Sequence, residues 1–347
     1  MRCPFCYQNG WPDEGRMSAG VADAAVRYMS LLPQQLGAEN IGVSIIGGEP
    51  LLAEEIILRI VDHAQADVNG RVSFHVDTNG TRSLKRLFAH AERMTATICL
   101  SLPPDHAQMR YRGGKDTSAR ALEVIGELDP ATPDKGVVLR YNAHRTNVGQ
   151  FEKFVEWVTA MKLPAVQGIR VARLEPYTFN TSFNLSLDQD EYDHWRLTTA
   201  IPCLLRHGWP PGEHLIGLRT VCRAYTPGSP KVKHDGSVIS CEPLFPDGRS
   251  EDGRVLTIDD LCENVDALRA ANPRLARHPK DNAECRACDW AFACMGKIGC
   301  RSGRCPPDSE FQAYTRLVEL VLRQDLPASA ALIRAAISAS EPVAEQQ

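Results

Sequence analysis

The sequence predicts an α/β fold in which short buried strands alternate with amphipathic helices. Five apolar runs rich in β-branched residues recur along the first half of the 347-residue chain, and segments with helical spacing of apolar residues lie between them. Such alternation is typical of parallel strands joined by crossover helices, arranged as an open sheet or as a full or partial barrel. The predicted strands are Ile41–Ile46, Val72–Val76, Ala96–Leu100, Val137–Tyr141 and Gln167–Leu174.

Amphipathic helices are predicted before and between these strands. The first presents apolar residues from Val21 to Leu31 on one face, behind a Ser18 hydroxyl that is suited to cap its start. The second has an apolar face over residues 56–64. Three further helical segments are Leu84–Glu92, Ser118–Leu128 and Phe151–Met161.

Unusual loop residues follow each predicted strand. In a parallel βα fold such loops meet at the carboxyl ends of the strands, where active sites lie, so we expect them to converge. A purely structural role also fits Asn79, which lies in a Thr-Asn-Gly turn, and it fits Ser101 and Asn142 equally well. In chain order the loops contain Gly47-Gly48-Glu49-Pro50, Asp77-Thr78-Asn79-Gly80, Ser101, Asn142 and Glu175.

The alternating pattern stops near residue 205, where Gly, Pro and Cys become frequent, so we place a domain boundary there. A small hairpin is predicted over residues 231–241, because Asp235-Gly236 is a favoured pair for a tight two-residue turn. Helices are expected at Ile258–Ala271 and Glu310–Arg323. The predicted units are a core at 1–205, a cysteine-rich α+β domain at 206–325 and an Ala- and Ser-rich tail at 326–347.

Composition and charge exclude several classes of partner. The chain has 39 Lys and Arg against 43 Asp and Glu, a net charge of −4, so a nucleic-acid or anionic-lipid partner is not expected. No run approaches the roughly 20 apolar residues that cross a bilayer. Met1 is followed by Cys3 and Pro4 rather than by a signal peptide, which predicts a cytoplasmic protein.

The cysteines fall into two groups that flank a cysteine-poor scaffold. Of the 12 cysteines, eight lie between Cys222 and Cys305. In a reducing compartment such clustering indicates metal ligands or catalytic groups rather than disulfides. The pair Cys3 and Cys6, with Tyr7 after it, fits one face of a metal site or cluster and also fits a redox motif.

The later group has a more specific spacing. Cys222 and Cys241 bracket Gly236, and a second series begins with a C-x2-C pair at Cys285 and Cys288. Zinc is the alternative to iron–sulfur, but a zinc ribbon needs a second C-x2-C pair about 15 to 20 residues away, which this sequence lacks. The series continues with Cys294, Cys300 and Cys305, whereas Cys99, Cys203 and Cys262 are predicted to be small buried residues rather than ligands.

Taken together, the N-terminal cysteines and the Gly-Gly-Glu-Pro segment resemble the radical SAM superfamily. Its signature is C-x3-C-x2-C followed by an aromatic residue, and Cys3, Cys6 and Tyr7 match its last two cysteines and its aromatic residue. The first cysteine and the first barrel strand would lie upstream of Met1. We expect a start codon assigned too late; the alternative is a homologue that has lost its radical chemistry.

The resemblance implies a partial (βα)6 TIM-like barrel that lacks its first strand in this chain. It also implies a [4Fe-4S] cluster whose open iron binds S-adenosylmethionine (AdoMet), which is cleaved to a 5′-deoxyadenosyl radical. By position, Gly47, Gly48, Glu49 and Pro50 would hold the methionine amino group, Tyr7 would lie near the adenine, Ser101 and Asn142 would reach the ribose or carboxylate, and Asn79 would be a further polar group of the site. Family members often carry an acidic residue where this chain has Pro103, which puts the ribose contacts in question.

The later cysteines resemble the SPASM extension of radical SAM enzymes, which binds two auxiliary [4Fe-4S] clusters. Five residues follow Cys294, where the family usually has three. The cluster assignments of Cys300 and Cys305 could be exchanged, since the spacing fits either one. The resemblance assigns Cys285, Cys288, Cys294 and Cys305 to one cluster, and Cys222, Cys241 and Cys300 to another with an open iron.

Enzymes of this kind commonly oxidise their substrates by two electrons, so the resemblance implies oxidative modification of a ribosomally made peptide or a protein side chain, by crosslinking or dehydrogenation. A flavodoxin or ferredoxin would supply the reducing electron. One alternative is the same chemistry on a small-molecule secondary metabolite. Another is a non-catalytic, cluster-bearing partner protein.

Overall fold

The computed structural model describes residues 15–103, 117–174, 185–210, 228–240 and 249–272. Within these ranges the chain forms a parallel sheet of five strands and an antiparallel sheet of three. The strands of the parallel sheet are β1 (Asn40–Ile45), β2 (Arg71–Thr78), β3 (Met94–Cys99), β4 (Lys135–Ala143) and β5 (Val166–Arg173).

The parallel sheet has the strand order β1-β2-β3-β4-β5, so each strand pairs with the next one along the chain. This order belongs to a barrel wall, because a doubly wound sheet reverses its order at a switch point. The predicted α/β class and the five predicted strands are confirmed. The arrangement agrees with a partial TIM-like barrel.

Helices of the described residues follow the predicted pattern closely. The Ser18 hydroxyl accepts a hydrogen bond of 3.3 Å from the Val21 backbone N–H and so caps the first helix. A π-helical segment at Arg196–Ala200 joins the sixth helix to the seventh. The helices are α1 (Ala19–Leu36), α2 (Glu54–Asp67), α3 (Lys85–His90), α4 (Ser118–Gly126), α5 (Phe151–Met161), α6 (Gln189–Trp195) and α7 (Ile201–Arg206).

The two faces of the parallel sheet differ in composition. One face is apolar and fully buried, and it shares a core with helical side chains; the Tyr141 and Phe154 rings, for example, lie 4.7 Å apart between β4 and α5. The opposite face is polar and half-buried, as expected from the two-residue period of a strand. Its half-buried side chains include His75, Asp77, Thr95, Cys99, Arg140 and Asn142.

The antiparallel sheet contains β6 (Lys231–Val232), β7 (Ser237–Ile239) and β8 (Leu256–Thr257). The hairpin predicted around Asp235-Gly236 is confirmed, but the two-residue turn is wrong: Lys233 pairs with Ser237, so the loop has three residues, and its last residue, Gly236, has a positive φ of 86°. The three domain bounds remain predictions. The expected helix at Glu310–Arg323 lies outside the described residues.

The single helix predicted over Ile258–Ala271 is wrong. The chain forms two short helices, α8 (Ile258–Glu263) and α9 (Ala267–Ala270), separated at Asn264, whose φ of −148° is extended. The Asn264 side-chain oxygen accepts a hydrogen bond of 3.0 Å from the Asp266 N–H. This local turn competes with helix continuation, as asparagine side chains commonly do.

Among the residues that the structure describes, no helix is both long enough and apolar enough to cross a membrane.

Candidate active site at the carboxyl ends of the parallel strands

The Glu49 carboxylate joins the ends of β1 and β2. Its Oε1 accepts hydrogen bonds from the Thr78 hydroxyl at 2.7 Å and from the Leu51 N–H at 3.2 Å. Its Oε2 accepts a hydrogen bond of 2.9 Å from the Asn79 N–H. The side chain also caps the short 3-10 helix Pro50–Ala53. Glu49 therefore fixes the turn that follows β1 against the end of β2.

The backbone of the same turn is open at Gly47 and Gly48. Gly48 is exposed, and a Cβ built on it would meet no atom of a described residue within 4 Å. A Cβ on Gly47 would meet only the Pro50 nitrogen, at 4.0 Å. A ligand can therefore approach the peptide groups of both glycines closely. Pro50 itself is buried beneath the turn.

The Thr78-Asn79-Gly80 segment is a tight turn that requires its glycine. The Asn79 Oδ1 accepts hydrogen bonds from the Thr81 N–H at 2.9 Å and from the Thr81 hydroxyl at 2.6 Å. Gly80 has a φ of 71°, and a Cβ there would lie 2.8 Å from Ile98 Cγ2 and 3.0 Å from Ala121 Cβ. The amide oxygen of Asn79 thus serves the turn, which favours the structural role left open by the sequence.

A cavity of about 530 Å³ lies beside these two turns. Glu49 and Asn79 line one side of it, and Arg82 and Arg120 contribute positive charge. The concave surface and the open glycine backbone thus occur at the same end of the sheet.

Ser101 and Asn142 follow or end the neighbouring strands. Ser101 is buried at 8% exposure just beyond β3. Asn142 is half-buried on the polar face, where its Oδ1 accepts a 3.0 Å hydrogen bond from Arg140 Nε and its Nδ2 donates to Cys99 Sγ at 3.6 Å. The expectation that Cys99 is simply a buried apolar residue is wrong, because the strand period places it on this polar face.

Asp77 is a polar residue of the same face that sequence reasoning did not select. Its Oδ1 lies 3.8 Å from His75 Nε2 and 4.0 Å from Arg140 Nη1. The His75 ring is held between two hydroxyls on β3, with Nδ1 2.8 Å from Thr95 Oγ1 and Nε2 3.1 Å from Thr97 Oγ1. The sequence contained a usable signal, because His75 and Asp77 are two residues apart in a predicted strand and so lie on the same face of it.

The charge state of Asp77 is set by opposing effects. Burial alone raises the pKa of a carboxyl group. Here the neighbouring His75 ring and the positive charges of Arg140 and Arg170 outweigh burial and lower the pKa of Asp77. Asp77 is therefore an anion at neutral pH, placed on the face of the sheet that carries the polar groups.

Cys203 and Cys262 were both predicted to be buried, and they differ in burial. Cys203 is buried at 1% exposure, whereas Cys262 is half-buried and its thiol donates to the Ala24 carbonyl at 3.4 Å.

The other predicted ligands lie outside the described residues, so their assignments remain predictions. These are Tyr7, Cys3, Cys6, Cys222, Cys241, Cys285, Cys288, Cys294, Cys300 and Cys305.

Comparison with solved structures reveals similar folds. Native anSMEcpe with bound AdoMet and Kp18Cys peptide is 17% identical, with a TM-score of 0.68, and the match covers 97% of this chain and 96% of that one. The form with bound AdoMet alone is 16% identical, with a TM-score of 0.67 over 96% and 95% of the two chains. The form with the Cp18Cys peptide is also 16% identical, with a TM-score of 0.69 over 97% and 96%.

No protein-family model matches the chain, and no curated protein sequence matches it significantly. Because identity to the solved structures is low, the likeness establishes the fold rather than the activity. The predicted α/β fold is thereby supported by solved structures over 97% of this chain.

Proposed function

We propose that the chain is a radical SAM enzyme that cleaves AdoMet reductively and oxidises a side chain of a peptide or protein. The observation that carries the proposal is the turn at residues 47–50. Its glycine backbone is open to a ligand, while Glu49 holds it rigidly at the carboxyl end of the sheet.

The described residues fit the methionine end of AdoMet. An ammonium group requires acceptors, and we assign that role to the peptide carbonyls of Gly47 and Gly48, since the described residues leave space beside both glycines. We assign Glu49 the task of fixing this turn, since both of its oxygens already accept hydrogen bonds. Asn142 and Ser101 supply polar groups from the adjoining strands for the ribose or carboxylate.

Cys3 and Cys6 would bind the catalytic [4Fe-4S] cluster, and Tyr7 would lie near the adenine. When bound, the cluster and AdoMet supply a 5′-deoxyadenosyl radical that removes a hydrogen atom from the substrate. Asp77 presents an anionic acceptor on the polar face of the sheet, which suits a donor group of the substrate. Arg140 keeps that carboxylate and the Asn142 amide in fixed positions.

A peptide or protein substrate is supported by the similar fold of anSMEcpe, whose structures contain bound peptides. We propose crosslinking or dehydrogenation as the outcome. In this proposal two auxiliary [4Fe-4S] clusters accept the substrate electron, and they are bound by Cys222, Cys241, Cys285, Cys288, Cys294, Cys300 and Cys305. A cytoplasmic flavodoxin or ferredoxin would reduce the catalytic cluster.

The experiment that tests this function is an anaerobic AdoMet cleavage assay with dithionite as reductant. The chain and a form extended in frame upstream of Met1 are loaded with iron and sulfide, and 5′-deoxyadenosine is quantified. A Cys6→Ala variant of the active form is the control, and it should produce none. If the extended, cluster-loaded protein also yields no 5′-deoxyadenosine, the enzyme proposal is wrong and a non-catalytic role is favoured.

A further inference from the structure

Three metal-ligating side chains meet on the helical side of the molecule, apart from the polar face of the sheet. Glu152 lies in the first turn of α5, Cys203 lies on α7, and His207 follows the end of α7. Their ligand atoms all lie within 4.8 Å of one another. Cys203 and His207 are four positions apart, a spacing that places two side chains on one face of a helical turn.

The three donors are of the types that zinc prefers. Zinc in proteins is bound by cysteine sulfur at about 2.3 Å, by histidine nitrogen at about 2.0–2.1 Å and by carboxylate oxygen at similar distances. Tetrahedral coordination at those lengths separates the donors by roughly 3.3–3.8 Å. The three ligand atoms lie within 4.8 Å of one another, with Glu152 exposed, Cys203 buried and His207 half-buried.

We propose that Glu152, Cys203 and His207 bind a zinc ion that links the end of α7 to the start of α5. A water molecule takes the fourth coordination position. The site is independent of the proposed radical chemistry, since none of its ligands belongs to the predicted cluster or AdoMet residues.

The local charges favour a cation at this position. Glu152 and Glu156 place negative charge beside Cys203, and Arg206 partly offsets it. Zinc binding forms the sulfur–zinc bond and releases one proton to solvent, as thiolate ligation requires.

Arg206 competes with the metal for Glu152. Its Nη2 lies 2.8 Å from Glu152 Oε1, and both side chains are more than half exposed, at 56% and 55%. Exposed ion pairs of this kind are weak and exchange their partners readily. Glu152 can therefore leave Arg206 for a divalent ion, and removal of Arg206 should strengthen zinc binding.

The test uses the full chain, purified anaerobically and loaded with iron and sulfide before one equivalent of zinc is added. After desalting, zinc is quantified by mass spectrometry, and X-ray absorption is recorded at the zinc edge, which iron does not obscure. We expect about one zinc per chain, with one sulfur neighbour at about 2.3 Å and the remaining neighbours nitrogen or oxygen at about 2.0–2.1 Å.

Ligand variants make the assignment specific. Because even outer-shell substitutions weaken metal sites by about 10- to 100-fold, Cys203→Ser and His207→Asn should each weaken zinc binding by about 100-fold or more. Arg206→Gln should strengthen it. Cys262→Ser is the matched control, because it removes another free cysteine with no effect expected on zinc.

Three results would overturn the proposal: no retained zinc, a shell of sulfur neighbours alone, or zinc content unchanged in Cys203→Ser. A sulfur-only shell would place the metal on the predicted cluster cysteines instead. Should Cys203→Ser fail to fold, as judged by circular dichroism, His207→Asn decides the question, since its side chain is less deeply buried.

Discussion

Glu49 and Asp77 are two carboxylates at the ends of neighbouring parallel strands, and they have opposite surroundings. Glu49 accepts three hydrogen bonds of 2.7, 2.9 and 3.2 Å from its own turn and from the end of β2. For Asp77, by contrast, the contacts to described residues are longer, at 3.8 Å to His75 Nε2 and 4.0 Å to Arg140 Nη1.

The two carboxylates therefore have different roles: Glu49 holds the backbone of the site in place, and Asp77 is available to a ligand. A carboxylate whose lone pairs are mostly occupied holds backbone in place, and removing it leaves buried donors without partners. A carboxylate without close donors still has its acceptor capacity. The motif residue Glu49 is thus architectural, and Asp77 is the acceptor that faces the polar side of the sheet.

The largest expected effect comes from breaking the turn that presents the Asn79 N–H to Glu49. Gly80→Ala combines a positive φ with a Cβ 2.8 Å from Ile98 Cγ2, so we expect a loss of about 2–4 kcal/mol in the free energy of unfolding. Urea unfolding followed by far-ultraviolet circular dichroism measures it. Gly126→Ala is the control, because its Cβ would meet nothing within 4 Å, and it should cost nothing.

Equal stability of Gly80→Ala and the wild type would show that this turn tolerates a side chain. The hydrogen bonds from Thr78 and Asn79 to Glu49 would then not depend on Gly80.

The second prediction compares Glu49→Gln with Asp77→Asn. Glutamine has one acceptor oxygen where glutamate has two. Its NH2 group would therefore face an N–H or O–H donor that the second carboxylate oxygen now accepts from. We expect Glu49→Gln to lower the free energy of unfolding by about 2 kcal/mol and Asp77→Asn to change it by less than about 0.5 kcal/mol. Chemical denaturation of both variants provides the measurement, and equal losses would contradict the comparison.

The same pair should differ in ligand binding. Because Glu49 fixes the turn that we assign to AdoMet, Glu49→Gln should weaken AdoMet binding by about tenfold or more, which corresponds to about 1.4 kcal/mol. Asp77→Asn should leave AdoMet affinity unchanged within about twofold. Equilibrium dialysis with labelled AdoMet distinguishes the two, and a larger loss in Asp77→Asn would place Asp77 in the AdoMet site.

The smallest effect concerns pH. The folded-state pKa of Asp77 is lowered, so its carboxylate stabilises the fold above the unfolded value of about 3.9, and this contribution is lost as pH falls through the folded pKa. Wild type should exceed Asp77→Asn in stability by a few tenths of a kcal/mol near pH 6, and the difference should shrink as pH falls below about 3.9. Unfolding midpoints across that range test the sign, and a difference that grows on acidification would contradict it.

Local sequence patterns predicted the architecture well. The bounds predicted for α5 match those observed, and each strand lies within about two residues of its apolar run, because the runs reflect direct burial on the helix-packed face. The break at Asn264 was missed, since the apolar spacing continues across it while the side chain forms a competing turn.

The orientation of the site residues depended on contacts that no local pattern contains. Glu49 meets Thr78 because β1 and β2 pair in parallel with Ile45 opposite Val76. The register of β2, β3 and β4 aligns Asp77 with Thr97 and Val138, and Arg140, two residues further along β4, lies on the same face and approaches Asp77. Sequence reasoning therefore found the Gly-Gly-Glu-Pro turn but missed the acceptor on the polar face.

The central claim is that the open backbone of this turn binds AdoMet, and Gly48→Val tests it most directly. Within the described residues a Cβ at this exposed position meets nothing within 4 Å, so we expect the fold to accept a valine side chain, which would fill the space that the ligand needs. The measurement is AdoMet affinity of the cluster-loaded, upstream-extended chain with and without this substitution. We predict binding by the wild type, at least about tenfold weaker binding by Gly48→Val, and an unchanged melting temperature. Equal affinity of the two proteins would contradict the account.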